Sequence, residues 1–463
     1  MRYARPRMQG RPRFRNLVIV AFAVLAVLCL GSKQSAAQWP EVVLYTFCQN
    51  GCGTDGLKPQ GGVIIDPDGD LWGTTLEGGS KNAGVVFDLV MPGLNSKTSS
   101  MDEEIVIYNF CQTPSKNLDC SDGALPVGGL AAGRLGNFYG TTFTGGNGGP
   151  SGSGGGGTVF AVLPGGLFKT LHEFCKHGHP CLGGASPAYG LLANEEGTIF
   201  YGTTVNGGLS DDAGTVFKVT SRGHVTTLYH FCSLANCKDG QTPSGPLISD
   251  NSGNLYGTTS VGGANGQGTV FKLTPSGTEK VLYSFCPAAG CADGQQPAGK
   301  LARDSSGNLY GTASAGGANG GGPNGAGVVF KVDPSGNETV LYSFCPGGTP
   351  CTDGSSPSAG VVLSLSGGDL YGTTAAGGST DQGTVFDVPI GGGETLLHDF
   401  CVSDEPVCAD NSGNPDGSTP TGPLVIDAEG NIFGTTDTGG GNLQGTRAGG
   451  GTVYELVNPS PGT

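Results

Sequence analysis

Four short runs recur in fixed order seven times along this 463-residue chain, and that recurrence limits the fold more than any other feature. The first opens on a glycine, as in GPLIS at 245 and GKLAR at 299. The second is an aromatic residue followed by GTT: WGTT at 72, YGTT at 139, 201, 256 and 371, YGTA at 310 and FGTT at 433. The third, of the type GTVF, starts at Gly84, Gly157, Gly214, Gly268, Gly327, Gly383 and Gly451. The fourth ends on Phe-Cys, as in VLYSFC at 281–286.

Each run is four to eight residues long and rich in β-branched and aromatic side chains, the signature of a strand. Turn-forming stretches such as Asp250-Asn-Ser-Gly-Asn254 and Pro275-Ser-Gly277 separate them and predict hairpins. The 88 glycines follow no strict G-x-y period, so a collagen-like chain is excluded. The expectation is an all-β protein, a seven-bladed β-propeller of four-stranded antiparallel blades. The chain enters on a lone fourth strand, EVVLYTFC (41–48), and leaves after a third, GTVYEL (451–456). The N-terminal strand is therefore expected to complete the last blade, closing the ring and removing its edges. A phase in which each cysteine loop lies inside a blade is the alternative.

The first 37 residues read as an export signal. Six arginines precede an apolar stretch, Leu17 to Leu30, and small residues stand at Ser35 and Ala37. Cleavage after Ala37 is expected, because fourteen apolar residues are short for a membrane span of about 20; an uncleaved anchor is the other reading. The expected organisation is a signal peptide (1–37), a repeat domain (38–457) and a short tail (458–463), with no transmembrane segment after cleavage. Removing the signal leaves 16 basic and 38 acidic residues, a net charge of −22. Phosphate backbones would be repelled by such a chain, so nucleic acid is excluded as a partner.

Fourteen cysteines remain, in seven close pairs: Cys48/Cys52, Cys111/Cys120, Cys175/Cys181, Cys232/Cys237, Cys286/Cys291, Cys345/Cys351 and Cys401/Cys408. In an exported chain these predict disulfides. Zinc would need four ligands converging, whereas each pair stands a full repeat from the next, so no metal centre is expected from the cysteines.

The runs YGTT-x₂-GG, GTVF-x-L and LYSFC, recurring in order across essentially the whole mature chain, resemble the GloVer (Gloeo/Verruco) tandem repeat of bacterial exported proteins. The resemblance implies export and a repeat domain, and no activity. Members often finish with a sorting tail, and the hydrophobic tail this would need is not seen in VNPSPGT (457–463).

Candidate site residues lie in the loops, where a rigid scaffold usually carries function. Two sets of connections are expected on one face: the glycine-rich links between second and third strands (143–157, 314–327 and 437–451) and the cysteine crossings. Most crossings carry Asp-Gly, at Asp55, Asp122, Asp239, Asp293, Asp353 and Asp416. Asp239, Asp293 and Asp353 are candidate ligand-binding residues, although Asp-Gly is also ordinary turn chemistry. Calcium is the one ion these aspartates raise; Asp66-Pro-Asp68-Gly-Asp70 is the closest match to a calcium loop but reads better as a hairpin. The third cysteine loop, Cys175-Lys-His177-Gly-His179-Pro-Cys181, has lost its Asp-Gly, and His177 and His179 are candidates for binding or proton transfer. His172, His230 and His398 fall within fourth strands and read as plain substitutions. The sequence nominates no nucleophile and no cofactor. It points to a monomeric, disulfide-stapled extracellular module that binds a glycan or protein through its loop face. The alternative is an extracellular carbohydrate-active hydrolase or lyase with its site at the channel mouth.

Overall fold

A computed structural model describes residues 38–48, 52–91, 103–112, 120–147, 155–177, 180–209, 212–318, 325–401, 416–440 and 449–459. The expected signal peptide and residues 460–463 of the tail lie outside them, as do His179 and Cys408.

The chain forms a β-propeller of seven four-stranded antiparallel blades. Blade 3 shows the plan. Its strands are Leu192–Ala193, Ile199–Thr204, Thr215–Thr220 and Val225–His230, paired in chain order. The other blades repeat it, and in blade 4 the first strand is split into Gln241–Pro243 and Ile248–Ser249. Each cysteine pair follows a fourth strand and leads into the next blade, so the cysteine loops are crossings between blades and not parts of them. Glu41–Thr46 is the fourth strand of blade 7 and pairs antiparallel with Thr452–Leu456.

Middle strands are buried on both faces because each blade is covered by two neighbours. Thr-Val-Phe at 269–271 is wholly inaccessible, and its counterparts supply seven clusters, each shared by two successive blades. One cluster joins Phe285 of blade 4 to Phe330 of blade 5, and another joins Phe47 of blade 7 to Phe87 of blade 1. In every such junction the phenylalanine before the first cysteine meets the third-strand ring of the next blade edge-on, as Phe285 meets Phe330 at 5.0 Å and Phe400 meets Tyr454 at 5.2 Å. Each contact adds about 0.5–1.5 kcal/mol to what burial supplies. The mid-strand glycine of the GTT run serves the same ring. A Cβ on Gly257 would lie 2.8 Å from the Phe271 Cζ, so a side chain there would displace the aromatic core.

The second threonine of GTT is the blade's internal polar link. Thr259 Oγ1 and Thr269 Oγ1 share a hydrogen bond of 2.9 Å, both fully buried, as do Thr204 and Thr215 at 2.8 Å. Blade 5 replaces both partners, with Ala313 opposite Val328. The third and fourth strands slip register beside the phenylalanine, between Val270 and Phe271 for example. This bulge adds the local twist that lets neighbouring blades splay.

Candidate functional site

The crossings carry a recurrent polar cluster built from three elements. In blade 3, Tyr229 Oη donates to Asp239 Oδ2 at 2.7 Å, and the amides of Ser233 and Leu234 donate to the same carboxylate. In blade 4, Tyr283 and the amide of Cys286 donate to Asp293 at 2.9 and 2.8 Å. Tyr342 and the amide of Cys345 do the same to Asp353. The aspartate thus holds the left-handed turn at the end of the fourth strand, where Cys286 and Cys345 have φ of 61° and 64°. The glycine after it is needed for close approach: a Cβ on Gly240 would lie 2.5 Å from Thr259 Oγ1 of the next blade.

A glutamate from the following blade completes the cluster. Tyr45 Oη lies 3.2 Å from Asp55 Oδ2 and 3.3 Å from Glu104 Oε2. Burial, and then the charge of Asp55, push the Glu104 carboxyl up to about 8. Burial and Asp239 push Glu279 to about 8, and burial and Asp293 push Glu338 to about 7. The phenols are pushed up as well, first by burial and then by their aspartates. Asp239, Asp293 and Asp353 therefore point inward, each in its own crossing, and the structure does not bring them together. Asp66 likewise accepts from the amides of Asp68 and Asp70, at 2.9 and 3.0 Å, in a hairpin turn.

The crossing after blade 2 breaks the pattern twice. The tyrosine position is His172, and the aspartate position, two residues after Cys181, is Gly183. Where five other crossings hold a Tyr–Asp pair, this one leaves a cavity of about 510 Å³ lined by both residues and by Glu173, Lys176, His177 and Leu182. Glu173 accepts from the Asn147 amide at 3.1 Å and pairs with Lys176 at 3.7 Å. Burial lowers the pKa of His172, with Glu173 opposing the shift. His177 lines this cavity, whereas its expected partner His179 is outside the described residues. The glycine-rich link shares the face: Ala124 pairs with Thr144 and Ala185 with Asn206 in isolated bridges.

The crossing after blade 6 departs differently. His398 takes the tyrosine position, with Nε2 3.8 Å from Glu41 Oε2 and 3.7 Å from Asp416 Oδ2. Burial, and then Asp416, push Glu41 up to about 9. Along its own strand this histidine reads as a plain substitution. Its signal was positional: it stands three residues before a cysteine, where Tyr45, Tyr283 and Tyr342 stand in other repeats.

The central channel holds a second cavity, of about 330 Å³. The lining has Gly129, Gly190, Pro246 and Pro423 at equivalent first-strand positions, and one charge, Lys300. Lys300 is open to the channel yet ringed by protein, and that burial lowers its pKa. No carboxylate or histidine is among the described residues lining this cavity.

Six disulfides close the crossings as expected: Cys48–Cys52, Cys111–Cys120, Cys175–Cys181, Cys232–Cys237, Cys286–Cys291 and Cys345–Cys351. Cys401 is also disulfide-bonded. No helix among the described residues is long and apolar enough to cross a membrane.

No curated protein sequence matches the chain. Solved structures with a similar course include a putative gluconolactonase (13% identity, 79% of this chain and 95% of that one, TM-score 0.39). The periplasmic gluconolactonase of Pseudomonas aeruginosa is 12% identical over 87% of this chain and 97% of its own, with a TM-score of 0.43. A fungal alcohol oxidase in complex with copper is 12% identical over 92% and 79%, with a TM-score of 0.49. At these values none of the three carries an argument about function. The sequence profile of the Gloeobacter/Verrucomicrobia repeat matches residues 98–322 and 292–460, and the chain belongs to that family.

Proposed function

We propose that the protein is an extracellular binding module that takes a glycan into the cavity of the crossing after blade 2. The observation that carries this reading is the paired loss of the repeat's Tyr–Asp cluster at His172 and Gly183, which leaves a cavity where five other crossings carry that pair. Its walls suit a sugar. Glu173 accepts, Lys176 donates, imidazoles do either, and Leu171 and Leu182 give the aliphatic surface a ring face packs on. The disulfide Cys175–Cys181 stiffens the loop, which lowers the ordering cost of binding. Export through the N-terminal segment and persistence of the disulfides outside the cell belong to the same reading.

The alternative of a hydrolase or lyase at the channel mouth finds less support, because the described lining offers a lysine and no carboxylate pair to act as acid and base. The test is a glycan array probed with residues 38–463 and with the His172→Tyr/Gly183→Asp variant. That variant rebuilds the Tyr–Asp pair, and a Cβ on Gly183 meets nothing within 4 Å. Saturable binding to one glycan class that the variant loses supports the reading. Equal binding by both proteins moves the ligand elsewhere, and no glycan bound by either turns the search to a protein partner.

A further inference from the structure

We propose that Glu41, His398 and Asp416 form a first-row divalent-metal site, best suited to zinc, that clasps the N-terminal strand to the crossing between blades 6 and 7. One ligand atom from each residue lies within 4.8 Å of the others. Each comes from a different element: Glu41 from the N-terminal strand of blade 7, His398 from the fourth strand of blade 6, and Asp416 from the crossing that leads from blade 6 to the first strand of blade 7.

Comparison with the Tyr45 crossing shows what the histidine changes. There a phenol hydroxyl reaches both carboxylates, 3.2 Å from one and 3.3 Å from the other. Here the imidazole is too short. Nε2 stops 3.7 Å from Asp416 and 3.8 Å from Glu41, beyond hydrogen-bond reach, and it has no hydrogen-bond partner although His398 is only 9% exposed. A polar atom so buried costs free energy unless something fills the gap. A tetrahedral ion with bonds of about 2.0–2.2 Å places neighbouring ligand atoms roughly 3.3–3.6 Å apart, so small side-chain adjustments bring all three atoms onto one ion. Imidazole with two carboxylates favours zinc and its first-row neighbours over calcium or magnesium, which take oxygen ligands. Three protein ligands leave a fourth position for water or a ligand atom.

The experiment uses the full mature chain, stripped with a chelator and titrated with zinc chloride by calorimetry and with cobalt chloride by visible absorption. The expected result is one tight site per chain, tetrahedral cobalt bands, and a melting temperature raised by about 2–4 °C at saturating zinc. His398→Tyr recreates the phenol of the other crossings. It should keep the β-sheet circular dichroism and weaken zinc binding by more than the roughly 10–100-fold typical of losing a second-shell partner. Asp416→Asn, which retains the side chain's shape, should weaken binding in the same way and serves if His398→Tyr folds poorly. The proposal is overturned if the wild type binds no stoichiometric zinc, or if both variants keep the cobalt bands. It is equally overturned if His177→Ala/His179→Ala removes the site while His398→Tyr leaves it intact.

Discussion

Tyr229 Oη, on the fourth strand of blade 3, donates at 2.7 Å to Oδ2 of Asp239, which is wholly inaccessible in the crossing that follows. Two backbone amides complete its shell. Asp239→Ala strands a phenol and two amides together, so it should destabilise the fold by about 3 kcal/mol, near the upper range for hydrogen bonds to a charged group. Tyr229→Phe removes one donor and leaves the amides in place, with an expected cost of about 1–2 kcal/mol. Urea unfolding of the two variants checks the order. Equal and negligible costs would restore Asp239 as a residue kept for ligand binding.

The threonine pair predicts a coupling. Thr259→Ala alone leaves the Thr269 hydroxyl, fully buried, without its partner, and should cost about 2 kcal/mol. Thr259→Ala/Thr269→Val copies the Ala313 and Val328 pair that blade 5 already uses. The double variant should recover at least half of that loss, giving an interaction energy of about 1 kcal/mol in a double-mutant cycle. Additive losses would mean that the two hydroxyls act independently.

Sequence pattern revealed the blades because every strand writes its own signal locally: the aromatic before GTT, the phenylalanine of GTVF and the cysteine after LYSF. Even the Ala313 and Val328 exchange is visible as YGTA followed by GVVF. The polar clusters were less legible, since those with a glutamate take it from the next blade, as Glu104, Glu279 and Glu338 show. Nothing near Asp55 in the chain announces Glu104, and only stacking sets both beside Tyr45. His398 is the extreme case. Read along its own strand it is a substitution, and its meaning comes from Glu41 at the opposite end of the chain. The cavity after blade 2 was half legible: the missing Asp-Gly was plain in the loop, but the matching loss of tyrosine at His172 becomes informative only when the Tyr–Asp contact is known.

Buried glutamates give the protein a particular dependence on pH. Glu338 is pushed up to about 7 and Glu104 and Glu279 to about 8, in each case by burial first and by a neighbouring aspartate second. In the unfolded chain these groups titrate near about 4.3. Below that value both states hold the protons and the glutamates cost nothing. Above it the unfolded chain ionises while the folded chain keeps its protons, so stability declines as pH rises and is lost most fully once the folded values of about 7–8 are passed. The melting temperature should therefore be higher at pH 6 than at pH 9, in buffers of equal ionic strength. Glu279→Gln mimics the protonated carboxyl without its titration, and should flatten the decline between those two conditions while changing little at the acid end. A melting temperature that stays level from pH 6 to pH 9 in the wild type would show that these carboxyls are ionised in the folded protein, and that solvent or a bound cation reaches them.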